Sequence, residues 1–290
     1  MTFNVALRLG RVSNLPTVWT NMLAAVVLAG GIVTDLRLVP VALALSLFYI
    51  GGMFLNDAFD AEIDARERPE RPIPSGQVSK TAVFTWGFAM LAAGIGLLLV
   101  AGMVLAGGTG IWPALGGLGL ALAIIAYNRH HKGNPSSPLI MGLCRVFVYL
   151  TAGLCFVVTL PPALFIGAGL LLAYLIGLTY VAKQENLGRV ENMWPLLFLG
   201  APIVFGALQA IEQPAVWPFW AVFTVWILVA LYFVKRRGPG DIPRAVVSLI
   251  AGICLLDAVL IANAGEPMLA GLAVVGFVLT LFFQKFIAGT

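Results

Sequence analysis

"LVPVALALSLFYIGGMFLNDAFDAEID" runs from Leu38 to Asp64. Its first eighteen residues, up to Leu55, carry no charge, and four of the last nine are acidic. An apolar run of this length crosses a bilayer as a helix. The same helix, continued past Asn56, carries Asp57, Asp60 and Asp64 at spacings of three and four, which puts the carboxylates on one face. The stretch therefore reads as a membrane span that emerges into an acidic surface.

The rest of the chain agrees with lipid as its main solvent. Of 290 residues, 60% are hydrophobic and only 10% charged, with mean hydropathy +0.98. A water-soluble domain carries about a quarter charged residues. Further apolar runs predict spans near 16–33, 38–55, 82–106, 110–127, 138–158, 162–182, 194–211, 216–234, 244–263 and 268–287. The runs are continuous and not alternating, which favours helices over a barrel. The expectation is an all-α, polytopic membrane bundle of nine to ten transmembrane helices around a central cavity, forming one domain over residues 1–290. Nine holds if one segment is re-entrant. The run after Arg8 and Arg11 is longer than a signal-peptide core and reads as a retained span.

With the N-terminus inside, 15 of the 17 Lys and Arg fall on one side; the exceptions are Arg37 and Arg145. The polar loops 56–80, 128–137, 183–193 and 235–243 are then cytoplasmic. This predicts an integral protein of a bacterial inner membrane, with its active loops in the cytoplasm. The formal charge of +4 reads as attraction to anionic membrane lipid and not to nucleic acid. Cys144, Cys155 and Cys254 fall within spans, contain no CxxC pattern, and are expected as free thiols.

Carboxylates gathered on one stripe repel unless a cation sits among them. Oxygen ligands suit Mg²⁺, which takes one or two carboxylates together with substrate phosphate. Zn²⁺ is disfavoured, because His130 and His131 lie on another loop and the cysteines are within spans. Arg66, Arg68 and Arg71 follow, then "RPIPSG", whose prolines predict a mostly extended loop. Carboxylates for a metal beside guanidiniums for free phosphate oxygens suit a magnesium–diphosphate complex.

"NDAFDAEID" with "RPIPSG" resembles the first signature of the UbiA superfamily of intramembrane prenyltransferases. "LRLGRVSNLPTVWTNMLAAVVLAG" is similar to that family's opening, and "YNRHHKGNP" with Arg145 and Gly153 to its middle section. The resemblance implies a bundle around a cavity open to lipid. It implies Mg²⁺-dependent transfer of an isoprenyl chain from a prenyl diphosphate to an aromatic or other lipophilic acceptor. By the same resemblance Asn56, Asp57, Asp60 and Asp64 hold the metal. Asn56, Arg66, Arg71, Lys132, Arg145, Lys183 and Arg189 are candidates for the diphosphate. Asp60, Asp64 and Glu185 are the catalytic candidates, Glu185 as acceptor of the released proton. The family's second acidic signature is altered: "YVAKQENLGRVENMWP" offers Lys183 and Glu185, but Arg189 stands where a second acid is expected. This leaves a second reading open, a non-catalytic UbiA-like lipid or metabolite carrier or transporter. Asp257, an acid within a span, is either a functional group, for instance in proton coupling, or a carboxylate satisfied by neighbouring helices. Phe54, Phe59, Trp86 and Phe147 are the aromatic candidates for lining a prenyl channel.

Overall fold

A computed structural model describes residues 1–183 and 193–289. Among these residues the chain is helical and contains no strand. The helices are α1 (Phe3–Leu9), α2 (Leu15–Leu28), α3 (Leu38–Glu67), α4 (Lys80–Leu99), α5 (Trp112–His130), α6 (Ser137–Leu154), α7 (Pro162–Lys183), α8 (Gly200–Glu212), α9 (Trp217–Arg236), α10 (Asp241–Asn263) and α11 (Pro267–Phe283). Each of the ten expected spans has its helix, and α1 is an addition. Among the described residues seven segments are long and apolar enough to cross a membrane: α3, α4 with its π-helical end, α6, α7, α8 with the turn before it, α9 with the turn before it, and α10. The outer surface exposes Leu43, Trp86, Leu122, Leu208, Val225 and Val278, the faces a lipid solvent requires.

α3 decides where chemistry can occur. Thirty residues make a rod of about 45 Å, against roughly 20 residues needed to span. The surplus carries the acidic face out of the apolar slab, as the sequence predicts. The helix stops at Glu67 because Arg68 precedes Pro69 and adopts φ −144°, ψ 63°. The loop that follows is not extended. Residues 69–76 form consecutive turns, with Ser75 N donating to Arg71 O (3.0 Å) and Gly76 N to Ile73 O (3.1 Å). Proline fixes φ near the value that turns also use, so the same residues serve a coil. This coil bends Arg71 back onto α3.

α2 ends at Leu28, five residues earlier than its apolar run suggests, where Gly30 takes φ +73°. α6 likewise ends at Leu154. Before α8 the chain winds as a 3-10 helix from Trp194 to Leu199. Pro202 has no N–H to offer the carbonyl of Phe198, so the α ladder is interrupted there.

α10 is the axis of the bundle: 89% of its spanning window is buried, and α2, α7, α9 and α11 pack around it. Tyr174 of α7 and Trp226 of α9 each donate to α10 carbonyls, those of Leu249 (2.7 Å) and Ser248 (2.8 Å). α3 and α4 approach closely through glycine. A Cβ on Gly51 would lie 2.9 Å from the carbonyl oxygen of Gly87, and one on Gly87 would lie 2.8 Å from Leu55. Gly51→Val is expected to force the pair apart and to cost about 1–3 kcal/mol, read as a lower midpoint of thermal unfolding in detergent.

A small cluster of Val5, Leu9, Phe54, Ala58, Val78 and Val83 seats α1 on α3 and α4. At the far end of the molecule, Arg37 draws three connections together. It pairs with Asp35 (2.6 Å), donates to the carbonyls of Gly107 and Cys155, and lies 4.7 Å over the Phe156 ring.

Candidate functional site

A cavity of about 490 Å³ opens between α2, α3, α5, α6, α7 and α10. Its inner walls are apolar, with Val18, Leu45, Phe48, Ile124, Val148 and Leu175 among them. At its other end stand Asn56, Asp60, Asp64, Arg68, Arg71, His131, Lys132 and Lys183. Asp60 and Asp64 are 5% and 2% exposed. Such burial needs partners, and the coil after α3 and the end of α5 supply them.

Asp64 accepts from Arg71 at 2.7 Å. Asp60 meets His131 Nε2 at 3.2 Å and Lys132 at 3.7 Å. Asp57 pairs with Arg11 at 3.1 Å and with Arg71 at 3.5 Å. Asn56 Nδ2 donates to Asn128 Oδ1 (3.2 Å), and Asn128 Nδ2 donates to the Gly52 carbonyl (3.0 Å), so the carboxamide is tied to α5. Arg11 reaches the acidic face from a left-handed residue, φ 41°, between α1 and α2. The Tyr127 ring stacks on His131, 4.9 Å between centroids, and His131 Nδ1 is buried without a hydrogen-bond partner among the described residues. Burial pulls the Arg71 guanidinium down, but Asp57 and Asp64, with Asp60 behind them, outweigh it and hold it above its ordinary value.

The structure brings together most of the predicted residues and separates others. Asn56, Asp60, Asp64, Arg71, Lys132 and Lys183 share the polar end of the cavity, where Lys183 donates to the Asn134 carbonyl at 2.7 Å. Asp57 is turned to its arginines and does not line the cavity. Arg66 is exposed on the outer side of α3, and the cavity position belongs to Arg68. Arg145 lines the cavity but deeper. Glu185 and Arg189 lie outside the described residues. Phe54, Phe59, Trp86 and Phe147 do not line the cavity; Phe54 belongs to the small cluster under α1, and Trp86 is exposed. Phe48, Tyr49 and Tyr127 take the aromatic positions. The three cysteines are free, as expected.

Arg11, Asn128 and His131 are site residues that sequence reading missed. Arg11 comes from the link between α1 and α2, Asn128 and His131 from the end of α5, and no local spacing marks any of them.

Among the described residues no three His, Cys, Asp or Glu groups form a ready-made metal cage. Mg²⁺ does not require one, because it is held by one or two carboxylates with substrate oxygens and water. Asp60 and Asp64, one helical turn apart on the cavity wall, meet that requirement. His131→Ala removes the group that orients Asp60. It is expected to weaken Mg²⁺-dependent binding of a prenyl diphosphate by about tenfold, measured with labelled ligand on protein in detergent.

The model of the UbiA prenyltransferase family matches residues 17–237. The chain is 29% identical over 222 residues to the digeranylgeranylglyceryl phosphate synthase of Methanopyrus kandleri, covering 74% of this chain and 73% of that protein. It is 38% identical over 107 residues to the enzyme of the same name from Thermococcus kodakarensis, covering 37% and 34%. Over 99 residues it is 37% identical to that of Methanothrix thermoacetophila, covering 34% and 36%. The chain thus spans about a third of the length of these last two relatives. Among solved structures, one of a digeranylgeranylglyceryl phosphate synthase superimposes with a TM-score of 0.64 at 18% identity, covering 90% of this chain and 98% of that one. A UbiA homologue from Archaeoglobus fulgidus bound to GPP and Mg²⁺ gives 0.54 at 16% identity, covering 91% and 99%. At such identities the likeness is one of fold.

Proposed function

The chain is an integral membrane protein of the UbiA prenyltransferase family, and we propose that it transfers an isoprenyl chain from a prenyl diphosphate to a lipophilic acceptor, with Mg²⁺ as cofactor. One observation carries this reading: buried Asp60 and Asp64, ringed by cations, stand at the polar end of an otherwise apolar cavity. Asn56, Asp60 and Asp64 would hold the metal, and Arg71, Arg68, Lys132 and Lys183 would take diphosphate oxygens. Bound Mg²⁺ supplies positive charge to the departing diphosphate.

The residues of the chain do the rest. The donor's C–O bond breaks with its electron pair going to diphosphate, whose growing charge meets guanidinium and ammonium groups already in place. The apolar walls exclude water from the allylic cation that remains, and the Phe48, Tyr49 and Tyr127 faces suit a cation. The acceptor adds to that cation and passes its proton to the released diphosphate, the base that the reaction itself supplies. Lys and Arg are concentrated in the loops at this end of the bundle, which supports a cytoplasmic site in the inner membrane.

The test is diphosphate release by the protein in lipid nanodiscs, with a prenyl diphosphate donor and a panel of acceptors. The relatives' name makes a prenylated glyceryl phosphate the first acceptor to try. Release that needs both Mg²⁺ and an acceptor is the expected outcome. A protein that binds no prenyl diphosphate in the presence of Mg²⁺ refutes the reading.

A further inference from the structure

Residues 235–244, where α9 turns into α10, carry four cations and one acid. That acid, Asp241, is 0% exposed and is engaged inside the turn. It accepts from Arg236 Nε (2.7 Å) and Nη2 (2.5 Å) and from the Gly238 amide (2.8 Å). Arg236 is also held over the rings of Phe233 and Tyr232, at 5.3 and 5.6 Å. One cation therefore builds the turn, and the other three are left over. Arg237, in the left-handed conformation that ends α9 (φ 58°), is exposed, as are Lys235 and Arg244. No acid pairs with Lys235 or Arg237 among the described residues, and the acid 3.9 Å from Arg244 is the one already held by Arg236.

α11 brings a further cation to this place. Gln284, just past its last turn, reaches the Val247 carbonyl of α10 at 3.5 Å. Lys285 follows it and is exposed, and Arg244 lies about one turn before Val247. Gln284 also donates to Asn14 Oδ1 (3.0 Å) at the start of α2. The basic cluster thus lies at the same end of the bundle as Arg11 and the acidic face of α3.

The surface below the cluster decides what it fits. α9 exposes Val225, Leu228 and Tyr232, and α11 exposes Val275, Val278 and Phe282. Each set has spacings of three and four, so each is one stripe along its helix. Trp226 of α9 meets Phe277 of α11, 4.8 Å between ring centres, so the two helices adjoin beside α10. The upper end of each stripe is an aromatic ring, the residue type that sits at headgroup level in a bilayer. A soluble anion or a nucleic acid would use only the basic rim. A molecule with a phosphate head and acyl tails uses the rim and both stripes.

We propose that this face binds an anionic phospholipid from the leaflet at the acidic end of the bundle. Its phosphate is held by the free cations of the α9–α10 turn and by Lys285, and its acyl chains lie along α9 and α11. Guanidiniums suit phosphate oxygens, and the lipid ties the last three helices together. This is a built site, distinct from the diffuse attraction that net charge alone predicts.

The full chain in a maltoside detergent is titrated with dioleoyl-phosphatidylglycerol and, separately, with dioleoyl-phosphatidylcholine, which has the same tails and no net charge. Native mass spectrometry counts bound lipid, and the midpoint of thermal unfolding is read alongside. The anionic lipid is expected to bind about tenfold tighter than the zwitterionic one and to raise the midpoint, as a ligand of the folded state does. Arg237→Gln/Arg244→Gln is expected to reduce the preference to below about twofold, and Lys285→Gln alone to reduce it by about threefold. Arg8→Gln/Arg129→Gln removes two exposed cations from the same end of the bundle and is expected to leave the preference intact. All these substitutions are at exposed positions and are expected to keep the lipid-free midpoint of the unmodified protein. Equal binding of the two lipids overturns the proposal. So does an equal loss in both double variants, since the attraction would then be spread over the whole end. Inorganic phosphate that raises the midpoint as far as the anionic lipid also overturns it, in favour of a free anion on the rim.

Discussion

Asp60→Asn is expected to lower prenyl transfer by about 10²-fold or more, the scale at which one group aimed at developing charge is lost. The substitution keeps the shape of the side chain and removes one negative charge from the acidic face. Three consequences follow from the geometry. A metal held there would lose one of the two buried carboxylates on the cavity wall, Asp60 and Asp64. His131 and Lys132, which meet Asp60 at 3.2 and 3.7 Å, lose the anion that holds them in position. The remaining cations then attract diphosphate without metal, so residual binding is expected to depend less on Mg²⁺ than in the unmodified protein. Titration of a labelled prenyl diphosphate over a range of Mg²⁺ concentrations reads all three. Unchanged affinity and unchanged Mg²⁺ dependence would remove Asp60 from the site. Asp57→Asn is a useful comparison, because Asp57 faces Arg11 and Arg71. Its effect should fall on stability of the acidic segment more than on the metal.

Asp257→Leu is the second large effect, and it concerns stability. The carboxylate receives three hydrogen bonds, from Tyr149, Thr20 and Asn21, and links α2, α6 and α10. Leucine fills similar space but leaves those donors buried with nothing to accept them. It also removes the negative charge behind Arg145. Each stranded donor costs about 1–3 kcal/mol, and breaking a buried charge arrangement costs about 3–5 kcal/mol; the effects overlap. A loss near the upper range is expected, read as a midpoint of thermal unfolding lower by roughly 10 °C. Asp257→Asn keeps an acceptor oxygen and should lose less. A variant as stable as the original would mean that the three donors find other partners.

These two residues also mark what was legible in the sequence. Continuous apolar runs located every long helix, because a chain in lipid must satisfy its backbone within each segment. The spacing of Asp57, Asp60 and Asp64 placed carboxylates on one face of one helix, and that too is local information, although Asp57 turns to Arg11 and Arg71 and not to the cavity. Helix ends fared less well. α2 stops at a glycine pair inside an apolar run, and the coil after α3 uses its prolines as turns. Hydropathy is blind to both. The cations were harder still. Arg11 joins Asp57 across 46 residues, and His131 reaches Asp60 from the end of α5. Weighing the two adjacent histidines only as zinc ligands, and setting them aside, left the role of one as a carboxylate's partner unseen. Asp257 stood out as an acid within a span, but nothing in its neighbourhood identified Thr20, Asn21 or Tyr149.

Arg37 bears on traffic through the molecule. It binds the α2–α3, α4–α5 and α6–α7 connections into one knot, with an ion pair at its centre. That knot lies at the end of the bundle opposite the acidic face. A protein that passes solutes across a bilayer must loosen each end in turn. Here one end is sewn shut, and the chamber resembles a thimble more than a corridor. Whatever enters must leave by the same rim or sideways between helices into the lipid. On the prenyl-transfer reading, the charged leaving group and the oily product would then part company by solubility alone, one to water and the other to the membrane.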